Sequence, residues 1–145
     1  MTLFLAALLA FLPAAAAAPA DSTDPAAEVE NGVRAYNARD LAYYEAVLAP
    51  DAVYVAEDGA VIAGKERVVA LFKRIFAATP ARQLAVSDVV SATKGDVAWA
   101  RFRWTLTIGA EVRKGITTTL LGRESGGFKV LQIQSTPDAH GAAGH

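Results

Sequence analysis

The chain has 145 residues, with 14 Lys and Arg against 15 Asp and Glu, so its formal net charge is -1. This length suffices for one domain with a hydrophobic core, and the lack of a basic excess argues against a nucleic-acid partner. There is no cysteine, which excludes disulfides and thiolate chemistry. Both histidines, His140 and His145, lie in a tail rich in Gly and Ala, so we expect no metal site and no cofactor.

The first twenty residues have the pattern of a targeting segment. An apolar run over residues 3–12 ends at Pro13, and Ala18-Pro19-Ala20 follows as a small-residue cleavage pattern. The run is shorter than the about 20 apolar residues that span a bilayer. We therefore predict a signal peptide over residues 1–20, a secreted or periplasmic mature chain, and no stable membrane anchor after cleavage. The alternatives are an uncleaved anchor and a buried helix of the fold.

The mature chain begins with helix signals. A polar leader is predicted over residues 21–27, and within it Asp24 can cap a helix directly before Pro25. Apolar residues at helical spacing continue to Tyr36. Gly32 lies on the same face, although a glycine inside a helix is about 1 kcal/mol less favourable than alanine.

Two more helices and a hairpin are predicted next. Asp40 is a suitable N-cap for a helix over residues 41–48, and apolar residues at helical spacing predict another over residues 65–77. Residues 53–55 are β-branched or aromatic, which is typical of a strand, and Asp58-Gly59 predicts a tight turn after it.

The second half of the chain has the period-two pattern of β-strands. It predicts four strands, over about residues 84–93, 97–108, 112–124 and 128–136. The short connections between them make neighbouring strands antiparallel. Helices followed by a meander predict an α+β fold, in which a cone-shaped, curved antiparallel or mixed sheet wraps around the N-terminal helices.

The strand over residues 97–108 has two unlike faces. One face is wholly apolar, and we assign it to the concave, helix-covered side: Ala98, Ala100, Phe102, Trp104, Leu106 and Ile108. The other face carries Trp99, Arg101 and Arg103 among threonines and a valine. A mixed aromatic and cationic face of this kind is typical of a half-solvated sheet or of a dimer interface, and we expect a homodimer.

Three motifs, in this order, resemble the SnoaL-like branch of the nuclear-transport-factor-2-like, cystatin-like fold. They are Asn37-Ala38-Arg39-Asp40-Leu41, then Ala49-Pro50-Asp51-Ala52-Val53, then Gly64-Lys65-Glu66 before an apolar helix. The resemblance implies a SnoaL-like domain over residues 28–137, followed by a flexible tail over residues 138–145. It also implies a cone whose mouth forms a ligand pocket.

The same resemblance implies that the chemistry of ketosteroid isomerases is absent. The positions of the oxyanion-binding tyrosine, the aspartate base and the protonated aspartate fall on Gly32, on Ala56 and on or beside Leu120, and these residues cannot transfer a proton. Glu57 adjoins the base position, but strand alternation predicts that it faces the other way. Arg101 matches a pocket arginine of kinase-association-like domains, and a surface or interface role is its alternative.

These observations predict an exported homodimer that binds a small apolar ligand without turning it over, with steroid-like or polyketide-like aromatics as the expected ligand type. We expect no catalytic residue, and the candidate ligand-binding residues are Tyr36, Phe102, Trp104 and Gln134, with Arg101 as a further possibility.

Two other functions stay open. One is an isomerase, cyclase or hydrolase with a non-standard acid–base site drawn from Tyr36, Tyr54, Glu57 or Asp58. The other is an assembly or interaction module with a vestigial pocket. An inward carboxylate beside Tyr36 would favour the enzyme, because acid–base catalysis needs a positioned proton acceptor.

Overall fold

The computed structural model describes residues 24–139. Its three helices are α1 (Pro25–Ala38), α2 (Leu41–Val47) and α3 (Lys65–Ala77). Its six strands are β1 (Leu48–Val55), β2 (Val61–Ala63), β3 (Arg82–Lys94), β4 (Val97–Ile108), β5 (Glu111–Glu124) and β6 (Gly127–Pro137). The predicted signal peptide and most of the predicted tail lie outside the described residues.

All six strands form one mixed sheet in the order β2-β1-β6-β5-β4-β3. The last four strands are the predicted antiparallel meander, and β1 pairs in parallel with β6. Register shifts interrupt the pairing of β1 with β6, of β3 with β4 and of β5 with β6. An extra residue in one strand bends it and increases its twist, so the sheet curves around the helices. The predicted α+β fold is confirmed.

The corner between α1 and α2 explains the first sequence motif. Arg39 adopts a left-handed conformation (φ 57°) that ends α1, and the Asp40 carboxylate accepts a hydrogen bond from the backbone N–H of Tyr43 to begin α2. The side chain of Asn37 donates to the Leu84 carbonyl and accepts from the Leu84 N–H, at 2.8 Å in both cases. Because β3 is an edge strand, this contact satisfies backbone groups that would otherwise be unpaired and fixes α1 against the sheet.

Helix α1 begins at Pro25, directly after the predicted cap Asp24, whose carboxylate accepts a hydrogen bond from the Ala26 N–H. One strand boundary differs from the sequence prediction. β1 begins at Leu48, five residues before the predicted strand. The chain is extended through Pro50, and the register with β6 shifts between Leu48 and Val53. A proline has no N–H to donate to a sheet ladder, which fits such an irregular stretch.

The core lies between the helices and the inner face of the sheet. Tyr44 on α2 stacks on Phe72 of α3, with ring centroids 4.0 Å apart and an interplanar angle of 20°. Val68 of α3 and Ala98 of β4 are buried in the same cluster. Between Asp24 and Ala139, none of the three helices is both long enough and apolar enough to span a membrane.

Candidate functional site

A cavity of about 150 Å³ lies between the helices and the inner face of the sheet. We call its two sides the helical wall and the sheet wall. The helical wall comes from α1, α2 and α3 and includes Glu28, Val29, Gly32, Tyr36, Tyr43 and Tyr44. The sheet wall comes from the strands and includes Tyr54, Phe102, Trp104, Leu106, Thr117 and Ser135. An apolar cavity of this size holds one benzene-sized ring, whereas sites for drug-sized ligands are about 300 Å³ or more.

Three of the predicted binding residues line this cavity: Tyr36, Phe102 and Trp104. Phe102 and Trp104 share one face of β4 with Ala98 and Ala100, which are buried beneath the helices. The alternation of the strand therefore directs both aromatic residues into the cavity, as predicted. Their role in binding a ligand stays a prediction.

Arg101 and Gln134 do not line the cavity, and both are exposed. Arg101 follows the alternation of β4 and lies on the outer face. For Gln134 the reason is a bulge, because Leu121 pairs with Val130 and Leu120 pairs with Gln132, so the pairing skips one residue of β6. That extra residue exchanges the faces of the following residues, and Ile133 and Ser135 line the cavity instead.

The expected outward orientation of Glu57 is wrong, because this residue lines the cavity. Strand alternation no longer applies at this position, since β1 ends at Val55 and Glu57 belongs to the turn. The side chain forms an ion pair with the guanidinium of Arg113 on β5. Its charge also acts on Tyr36 of the helical wall.

A second carboxyl group, on Glu28, lines the helical wall. Tyr43 Oη donates a hydrogen bond to Glu28 Oε1 and lies 3.4 Å from the Glu28 carbonyl oxygen. Burial raises the pKa of Glu28, and the Tyr43 hydrogen bond and the charge of Lys129 offset part of that rise. Burial and the adjacent Glu28 charge raise the pKa of Tyr43, so its hydroxyl stays protonated and acts as the donor.

Three further tyrosines place hydroxyl groups around the cavity. Burial raises the pKa of Tyr36, of Tyr44 and of Tyr54, so each remains a neutral hydrogen-bond donor. The hydroxyl of Tyr44 donates a hydrogen bond to the carbonyl oxygen of Gly32, with 3.0 Å between the two oxygens. These rings therefore give the cavity an apolar surface with a few fixed polar points.

The sheet wall has polar groups of its own. Thr117 Oγ1 and Ser135 Oγ lie 2.7 Å apart and share a hydrogen bond across β5 and β6. The indole N–H of Trp104 is buried, and no hydrogen-bond acceptor in the described part of the chain reaches it. Across residues 24–139 no cluster of three or more acidic or histidine side chains could hold a metal ion.

The sequence interpretation missed Glu28 and Tyr43 as cavity residues. A signal existed for Glu28, since residues 28, 32 and 36 are separated by four positions each and share one helix face. No sequence signal marked Tyr43, whose place depends on the angle between α1 and α2.

The comparison with protein families decides the membership of the chain. The SnoaL-like domain family matches residues 29–128. The chain belongs to this family. No curated protein matches the sequence.

Several solved structures share the fold. A candidate calcium/calmodulin-dependent protein kinase type II association domain from Thiobacillus denitrificans has 26% identity and a TM-score of 0.70, over 79% of this chain and 95% of that one. A cystatin-like protein from Caulobacter vibrioides has 14% identity and a TM-score of 0.72, over 81% and 89% of the two chains. A candidate dehydratase of the NTF2-like family from Streptomyces avermitilis has 16% identity and a TM-score of 0.68, over 78% and 94%. Together they show that this chain has the NTF2-like, cystatin-like fold.

Proposed function

We propose that this SnoaL-like protein is an exported homodimer that binds a small, mostly apolar ring compound in the cavity. The observation that carries the proposal is the cavity itself, which is lined mostly by aromatic and aliphatic side chains and has few polar groups. Its volume of about 150 Å³ favours a ligand with one ring over the steroid-like or polyketide-like compounds expected from the sequence.

Binding of one ring should be weak but measurable. Full burial of an aromatic ring contributes about 3 kcal/mol, and favourable contact with a neighbouring ring adds about 1 kcal/mol. A free energy near -4 kcal/mol corresponds to a dissociation constant of about 1 mM.

Ligand-observed NMR is suited to this affinity. Saturation transfer from the mature protein to toluene should be strong for the wild type and absent for Gly32→Leu, because position 32 lines the cavity and a leucine there would fill it. Gly32→Ala is the matched control and should keep the signal. Equal transfer to toluene from wild type and Gly32→Leu would contradict the proposal.

The dimer is supported by the outer face of β3 and β4. Apolar side chains that share this face with Arg101 are exposed: Val90 by 45%, Val97 by 45% and Trp99 by 36%. Arg103 lies on the same face and pairs with Asp138 at 3.3 Å. In a symmetric interface each substitution occurs on both subunits, so Arg103→Glu should place two new carboxylates in the interface and weaken the dimer. Light scattering that shows a wild-type monomer would reject this part of the proposal.

Export is supported by the apolar run and the small residues before Asp21. N-terminal sequencing of the secreted or periplasmic product should give Asp21-Ser22-Thr23. Recovery of the intact chain in the membrane fraction would indicate an anchor instead.

An acid–base enzyme is the second candidate, because two carboxyl groups, on Glu28 and Glu57, line the cavity. Glu57 also meets the condition of an inward carboxylate near Tyr36. The test is deuterium exchange next to the carbonyl of a small cyclic ketone, followed by NMR. General acid–base catalysis contributes about 10²–10⁴-fold, so a rate above buffer that Glu28→Gln or Glu57→Gln abolishes would favour the enzyme.

A further inference from the structure

The half-buried carboxyl group of Glu28 uses only part of its hydrogen-bonding capacity. Its Oε1 atom accepts the proton of Tyr43 Oη. No side chain or backbone donor among residues 24–139 reaches its Oε2 atom. Each carboxylate oxygen has two acceptor positions, so this end of the cavity can accept a further hydrogen bond.

Glu28 and Tyr43 together can accept a hydrogen bond from a ligand but cannot donate one. A phenol hydroxyl has one proton, and here that proton is directed to the carboxylate of Glu28. Tyr43 therefore orients Glu28 without supplying a donor to the cavity. A ligand group that fits this place has to donate a hydrogen bond, because a polar group brought into an apolar site without a partner is unfavourable.

The cations around the pair argue against a charged ligand. The charge of Lys129 acts on Glu28, and Lys129 Nζ donates to the Ala46 carbonyl at 2.9 Å. The charge of Arg34 acts on Tyr43, and Arg34 donates to Asn31 at 2.7 Å. Lys129 thus already offsets part of the charge of the carboxylate. An ammonium ligand would lose its hydration in an apolar cavity, whereas a neutral hydroxyl has much less hydration to lose.

We infer that Glu28 and Tyr43 form a hydrogen-bond-accepting anchor, which selects one-ring ligands that carry a neutral hydroxyl group, such as simple phenols. The carboxylate accepts the ligand O–H, and the ring contacts the apolar walls. This inference rests on the proposed binding function and adds the chemical class of the ligand to it.

The test compares three ligands of similar shape by isothermal titration calorimetry on the mature protein. Toluene has the ring alone, p-cresol adds a hydroxyl, and 4-methylanisole keeps the oxygen but has no proton to donate. A hydrogen bond to a charged group should make p-cresol bind about tenfold more tightly than toluene. We expect 4-methylanisole to lose that advantage.

Two variants locate the effect. Glu28→Met removes the acceptor with little change in side-chain length. Because the charged hydrogen bond is lost, p-cresol and toluene should bind this variant about equally tightly. Glu30→Met makes the same change at an exposed position of α1 and should keep the full preference.

The outcomes separate the inference from the function on which it rests. Toluene or 4-methylanisole binding as tightly as p-cresol to the wild type would overturn the anchor and leave cavity binding intact. Tighter binding of benzylammonium than of p-cresol would also overturn it, in favour of a cation site. If none of these ligands binds, both the anchor and the binding function are rejected. The wild-type comparison can still overturn the anchor if Glu28→Met does not fold.

Discussion

The sheet wall and the helical wall of the cavity differ in how closely their backbones are packed, and two glycines show the difference. A Cβ atom built on Gly115 of β5 would lie 2.2 Å from the Thr136 carbonyl oxygen and 2.4 Å from the ring of Trp104. A Cβ atom built on Gly32 of α1 would have Tyr43 Oη as its nearest neighbour, at 3.8 Å. The sheet wall is therefore filled, whereas the helical wall has space.

This contrast separates two roles within one cavity. On the sheet wall, Gly115 has no side chain, so the indole of Trp104 lies close to the backbone of β5. This close packing fixes the position of the indole in the sheet wall. On the helical wall, the space at Gly32 is bordered by the polar pair of Glu28 and Tyr43. We therefore expect substitutions in the sheet wall to affect stability and substitutions in the helical wall to affect ligand choice.

The largest effect is expected for Gly115→Ala. The added methyl group would force the indole of Trp104 or the backbone of β6 to move, and overpacking of this kind destabilises a protein by about 3 kcal/mol. Urea denaturation of the mature protein measures the change. Thr118→Ala on the exposed outer face of the same strand is the control and should change stability by about 0.5 kcal/mol or less. A Gly115→Ala protein as stable as the wild type would show that the sheet wall can rearrange to accommodate the methyl group.

A pH-dependent effect is expected at Glu28. Its pKa in the folded protein is raised above 4.5, so the folded chain binds more protons than the unfolded chain between pH 4.5 and that raised value. The stability of the wild type relative to Glu28→Gln should therefore fall as the pH rises through this window, and then become constant.

Denaturation of both proteins at several pH values measures the difference. Each unit of pKa difference corresponds to about 1.4 kcal/mol. A stability difference that rises with pH would mean that the folded structure favours the ionised form of Glu28.

A smaller gain is expected for Gly32→Ala. Alanine is about 1 kcal/mol more favourable than glycine inside a helix, and the 3.8 Å distance to Tyr43 leaves room for the methyl group. The midpoint of urea denaturation should rise. Destabilisation would indicate that the helical wall has no space at this position.

The smallest effect is expected at the other carboxylate. The ion pair of Glu57 with Arg113 is partly exposed, with 22% and 39% of the two side chains accessible, so solvent screens much of the attraction. Glu57→Gln should change the free energy of unfolding by about 0.5 kcal/mol or less. A loss as large as that of Gly115→Ala would show that this pair holds the turn after β1 in place.

The sequence predicted the fold well because the periodicity of each segment agrees with its place in the structure. The apolar face of β4 was assigned correctly, so Phe102 and Trp104 were found as cavity residues. Asp24 and Asp40 marked the starts of α1 and α2 because both cap backbone N–H groups. Local rules suffice where a residue's environment is set within its own helix or strand.

The same rules failed where the environment depends on a neighbouring element. The bulge in β6 exchanged the faces of Gln134 and Ser135, and a period-two pattern contains no sign of the extra residue. Glu57 was judged as a strand residue although it lies in a turn and is held by Arg113, which is 56 positions away in sequence. Glu28 was missed as a cavity residue, because its hydrogen-bond partner, Tyr43, comes from another helix.

Fluorescence of Trp104 tests the central claim, that the cavity binds a one-ring ligand, most directly. The chain has two tryptophans, and Trp99 is on the outer face, so Trp99→Phe leaves only the tryptophan of the sheet wall. Titration of this variant with toluene should change the emission and saturate with a dissociation constant of about 1 mM, and Gly32→Leu in the same background should abolish the change. An emission that stays constant up to the solubility limit of toluene would contradict the account.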